Sequence, residues 1–332
     1  MSIVYVGSYG SGISTFARDE ARLTLLDRVD TPNPSWLTLS PDGRTLYTVD
    51  ELDSPSVAAF EVTGSGLKLL SRAPTGGEAP CHLLLHPAGY LLAANYGSGS
   101  VSVHVLGDDG VVGPPVDLVR HTGSGADPDR QAGPHAHEVR LAGDLVVVVD
   151  LGLDRLIGYR LDPASGALTV AADPFARTHP GAGPRHAVAH PNGRWYVADE
   201  LDSTISVFDP DVSTGVLHQV AALPASSSTV DGGNYPAGIA LSRDATRVYV
   251  SNRGRDTIAT FDVDAQGDLT LIDEVSCGGS WPRHFAIVED VMLVANQKSD
   301  SVVSFALDPA TGLPRPTGDV VTLSTPTCVL PA

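Results

Sequence analysis

Lysine is nearly absent. Lys68 and Lys298 are the only two, and arginine carries the rest of the 21 basic positions. Against 39 acidic residues this leaves a formal net charge of -18, which argues against a general binder of nucleic acid or of anionic membrane. Cysteine is equally scarce. Cys81, Cys277 and Cys328 are too few and too widely spaced for a disulfide framework or a zinc motif, so a reduced, cytoplasmic setting is expected. No apolar run approaches the ~20 residues of a membrane helix. The N-terminal MSIVYVGSYG lacks the basic start and long apolar stretch of a signal peptide or anchor. A long amphipathic helix pattern, a glycine-rich phosphate loop and a G-x-S-x-G nucleophile elbow are also missing.

What the chain does have is 34 glycines, 25 prolines and a repeat. NPSWLTLSPDGRTLYTVDELDS from Asn33, GPRHAVAHPNGRWYVADELDSTISVF from Gly183 and YPAGIALSRDATRVYVSNRGRDTIATF from Tyr235 share one plan. Each has a proline, an alternating apolar strand, a turn, a second strand ending in Asp or Asn, a polar turn and a third strand. The leading prolines are Pro34, Pro80, Pro134, Pro184, Pro236 and Pro282, spaced 44 to 54 residues apart if Pro326 is added. That period suits a four-stranded propeller blade. Six blades leave two remnants. TPTCVL at the C-terminus reads as a first strand alone, and IVYVGSYGSGISTF at the N-terminus reads as a second and third strand. Joined, they make a seventh blade whose inner strand comes from the C-terminus. The expectation is an all-β, seven-bladed propeller with four-stranded antiparallel blades, residues 1–332 forming one domain. Closure by the termini removes an open sheet edge.

This register predicts where a site lies. The start of strand one and the end of strand two fall at the same end of each blade. Trp36, His82, His135, His137, Arg185, His186, Arg283 and His284 therefore gather at one channel mouth with Glu51, Tyr96, Glu200, Arg253 and Gln297. The Asp/Asn column (Asp50, Asn95, Asp150, Asp199, Asn252, Asn296) recurs in nearly every blade and reads as turn scaffold. His86 and His190 sit in the Pro41-type turns and read as structural. His82, His186 and His284 share a column and have a packing role as their plain alternative. For Arg185 and Arg253 the plain alternative is an ion pair with Glu200. His135 and His137 flank Ala136, and alternation predicts that they share a face. Two histidines do not make a metal site, and Cys81 and Cys328 read as inert thiols. Arginines can bind phosphate or carboxylate, or steady an oxyanion. A His or a carboxylate can activate water. Attack by water on an anionic ester or lactone is the simplest chemistry for this set.

The run HTGSGADPDRQAGPHAHEV from His121, with DLGLDRLIGY from Asp150, GPRHAVAHPNGRWYVADELDST and YVSNRGRDTIATF, resembles the lactonase family of seven-bladed propellers. That family includes propeller-type 6-phosphogluconolactonases and carboxymuconate cyclases. The resemblance spans essentially the whole chain. It implies a cofactor-free enzyme acting on a small-molecule lactone, here expected as a monomer or weak homodimer. It also implies catalytic roles for His137, Arg185, Glu200 and Arg253. Substrate contacts are expected from His135, His186, Arg283, His284, Tyr96, Glu51 and Gln297. Hydrolysis of 6-phospho-D-glucono-1,5-lactone is the leading expectation. Cycloisomerisation of a muconate-type diacid and a non-catalytic binding propeller are the alternatives. One departure stands out: many members have Glu in an N-x-A-A-E-I run where this chain has NYPAGI, with Gly238. A wider site or another substrate is expected from it. The preceding loop, PASSSTVDGGNYP, reads as a candidate flap.

Overall fold

The computed structural model describes residues 2–211, 214–228 and 233–332. Residues 229–232 of the candidate flap lie outside the described residues. The described strands form seven four-stranded antiparallel sheets. Blade 1 holds Leu37–Leu39, Thr45–Asp50, Ser56–Thr63 and Gly66–Pro74. Blades 2 to 6 span residues 80–120, 136–177, 184–224, 235–276 and 282–322. Blade 7 pairs Pro326–Pro331 with Ser2–Ser8, followed by Gly12–Asp19 and Arg22–Val29. The first strand of each blade lies innermost, and each inner strand contacts the next around a closed ring. The ends meet in this blade, where Ala332 N donates to Ile3 O at 2.9 Å.

The sequence pattern explains the layering. The second strands are buried throughout, as in Thr45–Asp50, Tyr90–Asn95 and Val291–Asn296, because both of their faces meet neighbouring blades. The fourth strands carry exposed positions, as in Leu217–Pro224. Apolar packing therefore sits between blades, with one cluster per interface. Tyr90, Leu92, Val139 and Val146 fill the junction of blades 2 and 3. Val6, Phe16, Leu293 and Val302 fill that of blades 6 and 7. Tyrosine hydroxyls tie second strands to the outer turn of the next blade. Tyr47 donates to Gly110 O at 3.1 Å, Tyr196 to Gly267 O at 2.8 Å and Tyr249 to Gly312 O at 2.7 Å.

At the mouth, the residue before most leading prolines takes a left-handed conformation: Asn33, Ala79, Gly183, Trp281 and Thr325 have φ between 39° and 67°. Pro134 departs from its expected place. The inner strand of blade 3 begins at Ala136, so Ala136 takes the position that Pro80, Pro184 and Pro282 hold elsewhere. The Asp/Asn column is fully buried and engaged with turns. Asn33 Nδ2 donates to Asp50 Oδ1 at 3.3 Å, Asn252 Nδ2 to Ala225 O at 2.8 Å and Asn296 Nδ2 to Cys277 O at 3.0 Å.

Candidate active site

Inner strands carry a bulge just after they start. Pairing skips from Pro80 to His82, Ala136 to Glu138, Pro184 to His186 and Pro282 to His284. In blade 7 it skips Thr327 in the same way. A bulge leaves one residue unpaired and re-aims its side chain. The skipped residues, Cys81, His137, Arg185, Arg283 and Thr327, all line the channel. They form a lower tier. Residues after the Asp/Asn positions of four blades, Glu51, Tyr96, Glu200 and Arg253, form an upper tier, joined by Tyr9, which follows Ser8 and bonds Glu51. Between the tiers lies a cavity of about 190 Å³ lined by Glu51, Cys81, Tyr96, Arg130, His137, Glu200, Arg253 and Arg283. A narrow void of about 10 Å³ continues below it, among Ser35, Trp36, Arg185, His186, His284 and Thr327.

Glu200 organises the cavity. Its Oε2 accepts from Arg253 Nη2 at 2.6 Å and lies 3.1 Å from Arg185 Nε, the latter without hydrogen-bond alignment. Its Oε1 accepts from Arg130 Nη2 at 2.8 Å. Burial alone would raise the Glu200 pKa, but the Arg253 and Arg185 cations hold it far below the ordinary carboxylate range. Arg185 also donates to Ala237 O at 2.8 Å, and Arg253 donates to Tyr235 O at 3.1 Å. Burial and the neighbouring Arg253 lower Arg185 to about 9, which leaves it cationic at neutral pH. On the opposite wall Tyr9 donates to Glu51 at 2.6 Å, and Arg283 lies 3.4 Å from Glu51 and over the Tyr9 ring. His137 is 6% exposed, and its Nδ1 is buried without a partner. Burial and Arg185 hold its pKa well below that of a free imidazole, so it is neutral.

The other expected residues lie elsewhere. His135 does not line the cavity; it lies just before the strand, stacked on Tyr96 at 4.5 Å, with Nδ1 2.9 Å from Tyr96 O. His137 meets the same ring edge-on at 5.6 Å. Simple alternation therefore misplaced His135, because the extra bulge residue breaks the two-residue period. His82, His186 and His284 pack with Trp36 beneath the cavity. His284 Nδ1 accepts from Val329 N at 3.1 Å, Glu138 Oε2 from Ala187 N at 2.8 Å and His82 Nδ1 from Val139 N at 3.5 Å. These side chains staple one inner strand to the next. Burial lowers His284 to about 3 and holds His82 and His186 well below the ordinary value. Gln297 sits in a short turn, Gln297–Ser299, beside the cavity without lining it. Gly238 does not line it either. A Cβ there would meet the Phe285 ring at 3.2 Å and Ser251 Oγ at 3.3 Å, so its presence does not widen this cavity. The Cys81 thiol lines the cavity, but burial pushes its pKa up.

Sequence reasoning missed two residues. Tyr9 follows Ser8 as Tyr96 follows Asn95, so the column count carried into the N-terminal strand would have found it. Arg130 belongs to no blade. It comes from the loop before blade 3, and only the RQ-x-x-PHAH run marked it. Among the described residues, no three His, Cys, Asp or Glu side chains are grouped as metal ligands, and no helix is long and apolar enough to cross a membrane.

Comparison with known proteins agrees with this geometry. Residues 3–331 match the family described as lactonase, 7-bladed beta-propeller. A 6-phosphogluconolactonase of Bacillus subtilis is 32% identical, over 98% of this chain and 97% of that protein. A 6-phosphogluconolactonase of Formosa agariphila is also 32% identical, over 93% of each. The structure of the periplasmic gluconolactonase of Pseudomonas aeruginosa superposes with a TM-score of 0.92 at 32% identity, covering 100% of this chain and 99% of that one. With the closed ring and the family match along nearly its whole length, this chain belongs to the seven-bladed β-propeller lactonases.

Proposed function

We propose that the chain hydrolyses 6-phospho-D-glucono-1,5-lactone to 6-phosphogluconate. The observation that carries this is the charge of the cavity and its neck. Four arginines, Arg130, Arg185, Arg253 and Arg283, stand against two carboxylates, Glu51 and Glu200, while burial keeps the histidines neutral. A surplus of two positive charges suits a phosphate monoester, which carries about -1.5 to -2 near pH 7. The two relatives named 6-phosphogluconolactonase support the same substrate. The relative named as a gluconolactonase favours an unphosphorylated lactone as the second reading.

In this mechanism His137 takes a proton from water as the water oxygen attacks the lactone carbonyl. Glu200 is too weak a base for that step, given three arginines around it, and it steadies the imidazolium that forms. Arg185 and Arg253 stabilise the oxyanion. The ring C–O bond then breaks, and the ring oxygen recovers the proton from His137. Tyr96, Glu51 and Arg283 face the sugar hydroxyls, with His135 fixing Tyr96. His186, His284 and Gln297 support these groups from behind. Three buried, unpaired cysteines support a cytoplasmic setting, and the net charge of -18 argues against a nucleic-acid or membrane partner; the proposed enzyme is a monomer or weak homodimer acting without a metal. The test is hydrolysis of both lactones, measured above the spontaneous rate. Turnover of the phosphorylated lactone with the higher kcat/KM is expected. No acceleration of either would overturn the reading, and exclusive turnover of glucono-1,5-lactone would shift it to the second.

A further inference from the structure

Arg130 differs from the other arginines of the cavity. Its side chain is 39% exposed, against 3% for Arg185, 7% for Arg253 and 17% for Arg283. It therefore stands at the mouth. Among the described residues only its Nη2 is engaged, by Glu200 Oε1 at 2.8 Å and Tyr96 Oη at 3.3 Å. The rest of the guanidinium fork is open. Arg185 and Arg253 are in addition tied to backbone carbonyls, so they cannot turn without breaking those bonds.

The loop that presents Arg130 is held rigidly from below by its neighbour. Gln131 is fully buried. Its Nε2 donates to Leu151 O at 2.7 Å and to Asp154 Oδ1 at 2.6 Å, and its Oε1 accepts from Asp127 N at 2.9 Å. Its backbone closes the turn through Gln131 N to Asp127 O at 2.8 Å and Gly125 N to Gln131 O at 2.9 Å. Gly152 allows the loop to lie this close: a Cβ there would stand 2.0 Å from Gly133 O. An anchored loop with a half-exposed cation at its tip is more than blade packing requires.

We infer that Arg130 is the residue that selects the phosphorylated substrate. The inference rests on the proposed reading of the cavity as a site for a phosphorylated lactone. The carbonyl must reach the deep tier, beside His137 and Arg185. The phosphate, at the far end of the sugar, then lies at the mouth, where it stays partly hydrated and meets the open fork of Arg130. When Arg130 turns from Glu200 to the phosphate, Glu200 keeps Arg185 and Arg253, so no buried carboxylate is stranded. A planar fork matches phosphate oxygens in pairs, and lysine offers only a point charge there.

The experiment compares kcat/KM for 6-phospho-D-glucono-1,5-lactone and for glucono-1,5-lactone in wild type, Arg130→Gln and Arg130→Lys. The readout is the ratio of the two values, in which any shared loss cancels. The ratio is expected to fall about 10- to 100-fold in Arg130→Gln, the size of one charge-assisted hydrogen-bond pair, mainly through KM. Arg130→Lys should fall between the two. A ratio within twofold of wild type in Arg130→Gln overturns the inference, as does full retention in Arg130→Lys. Titration calorimetry with inorganic phosphate separates this from the functional reading. If wild type turns over neither lactone, that reading fails. Phosphate should still bind several-fold more weakly to Arg130→Gln, and equal affinity overturns the inference on its own.

Discussion

In the proposed mechanism His137 and Glu200 take opposite tasks, because their environments differ. The imidazole is neutral, with Nδ1 buried and unpartnered, and the carboxylate is held by three arginines. His137→Gln is therefore expected to lower kcat by about 100-fold or more, with a small change in KM. A depressed pKa keeps the basic form dominant above it and removes that form only as pH falls through it. Wild-type kcat should then show no acid limb near pH 6.5, where a free histidine titrates. A pH–rate profile with a limb at that pH would contradict the assignment of the base. Glu200→Gln leaves three cations without their shared partner. A loss of about 3–5 kcal/mol in folding stability is expected together with loss of turnover, read by denaturant unfolding and assay. Most of these residues were legible in the sequence because the repeat supplies columns, and residues found once in a column stand out. Arg130 was not legible from the columns, because a loop between blades has no counterpart to align.

At the scale of strands, the bulge is the device that builds the site. It turns Cys81, His137, Arg185, Arg283 and Thr327 toward the channel and the next residue into the staple layer. A period-two reading cannot show this, since nothing in HAHEV or PRHAV marks which residue goes unpaired. That is why His135 was expected in the cavity, and why His186 and His284, expected beside it, line the narrow void below it. The turns were easier to read. His86 and His190 accept from the turn amides of Ala88 and Asn192, each at 3.2 Å, as their place in the Pro-x-Gly turns suggested. The tyrosine ties between blades were not foreseen. Tyr249→Phe removes the bond to Gly312 O far from the cavity. It should cost about 1 kcal/mol and lower Tm by roughly 1–2 °C in a chain of this size, with kinetic constants unchanged. A Tm equal to wild type would show that this tie carries no net energy.

For the whole molecule, the buried histidines set the response to acid. His82, His137, His186 and His284 are held neutral by burial, whereas in the unfolded chain they protonate near pH 6.5. Their stabilising effect is complete above that pH and is lost as pH falls, at up to about 1.4 kcal/mol per pH unit for each histidine. Glu138 and Asp199, raised by burial, act in the opposite direction and offset part of this at lower pH. Tm is expected to drop on the order of 5–10 °C between pH 7 and pH 5 by scanning calorimetry. A flat Tm would refute the linkage. The same scan tests the proposal that residues 1–332 form one domain, for which a single transition is expected. The closing blade bears on how the chain is made. Thr327 Oγ1 and Gly7 O, which meet at 3.0 Å, are 320 residues apart. At about 5–20 residues per second, the first strand waits on the order of tens of seconds for its inner partner. Until then its edge is open and the arginines have no common cavity. Assembly of the channel thus cannot precede synthesis of the strand Pro326–Pro331, on which the edge of the first strand waits.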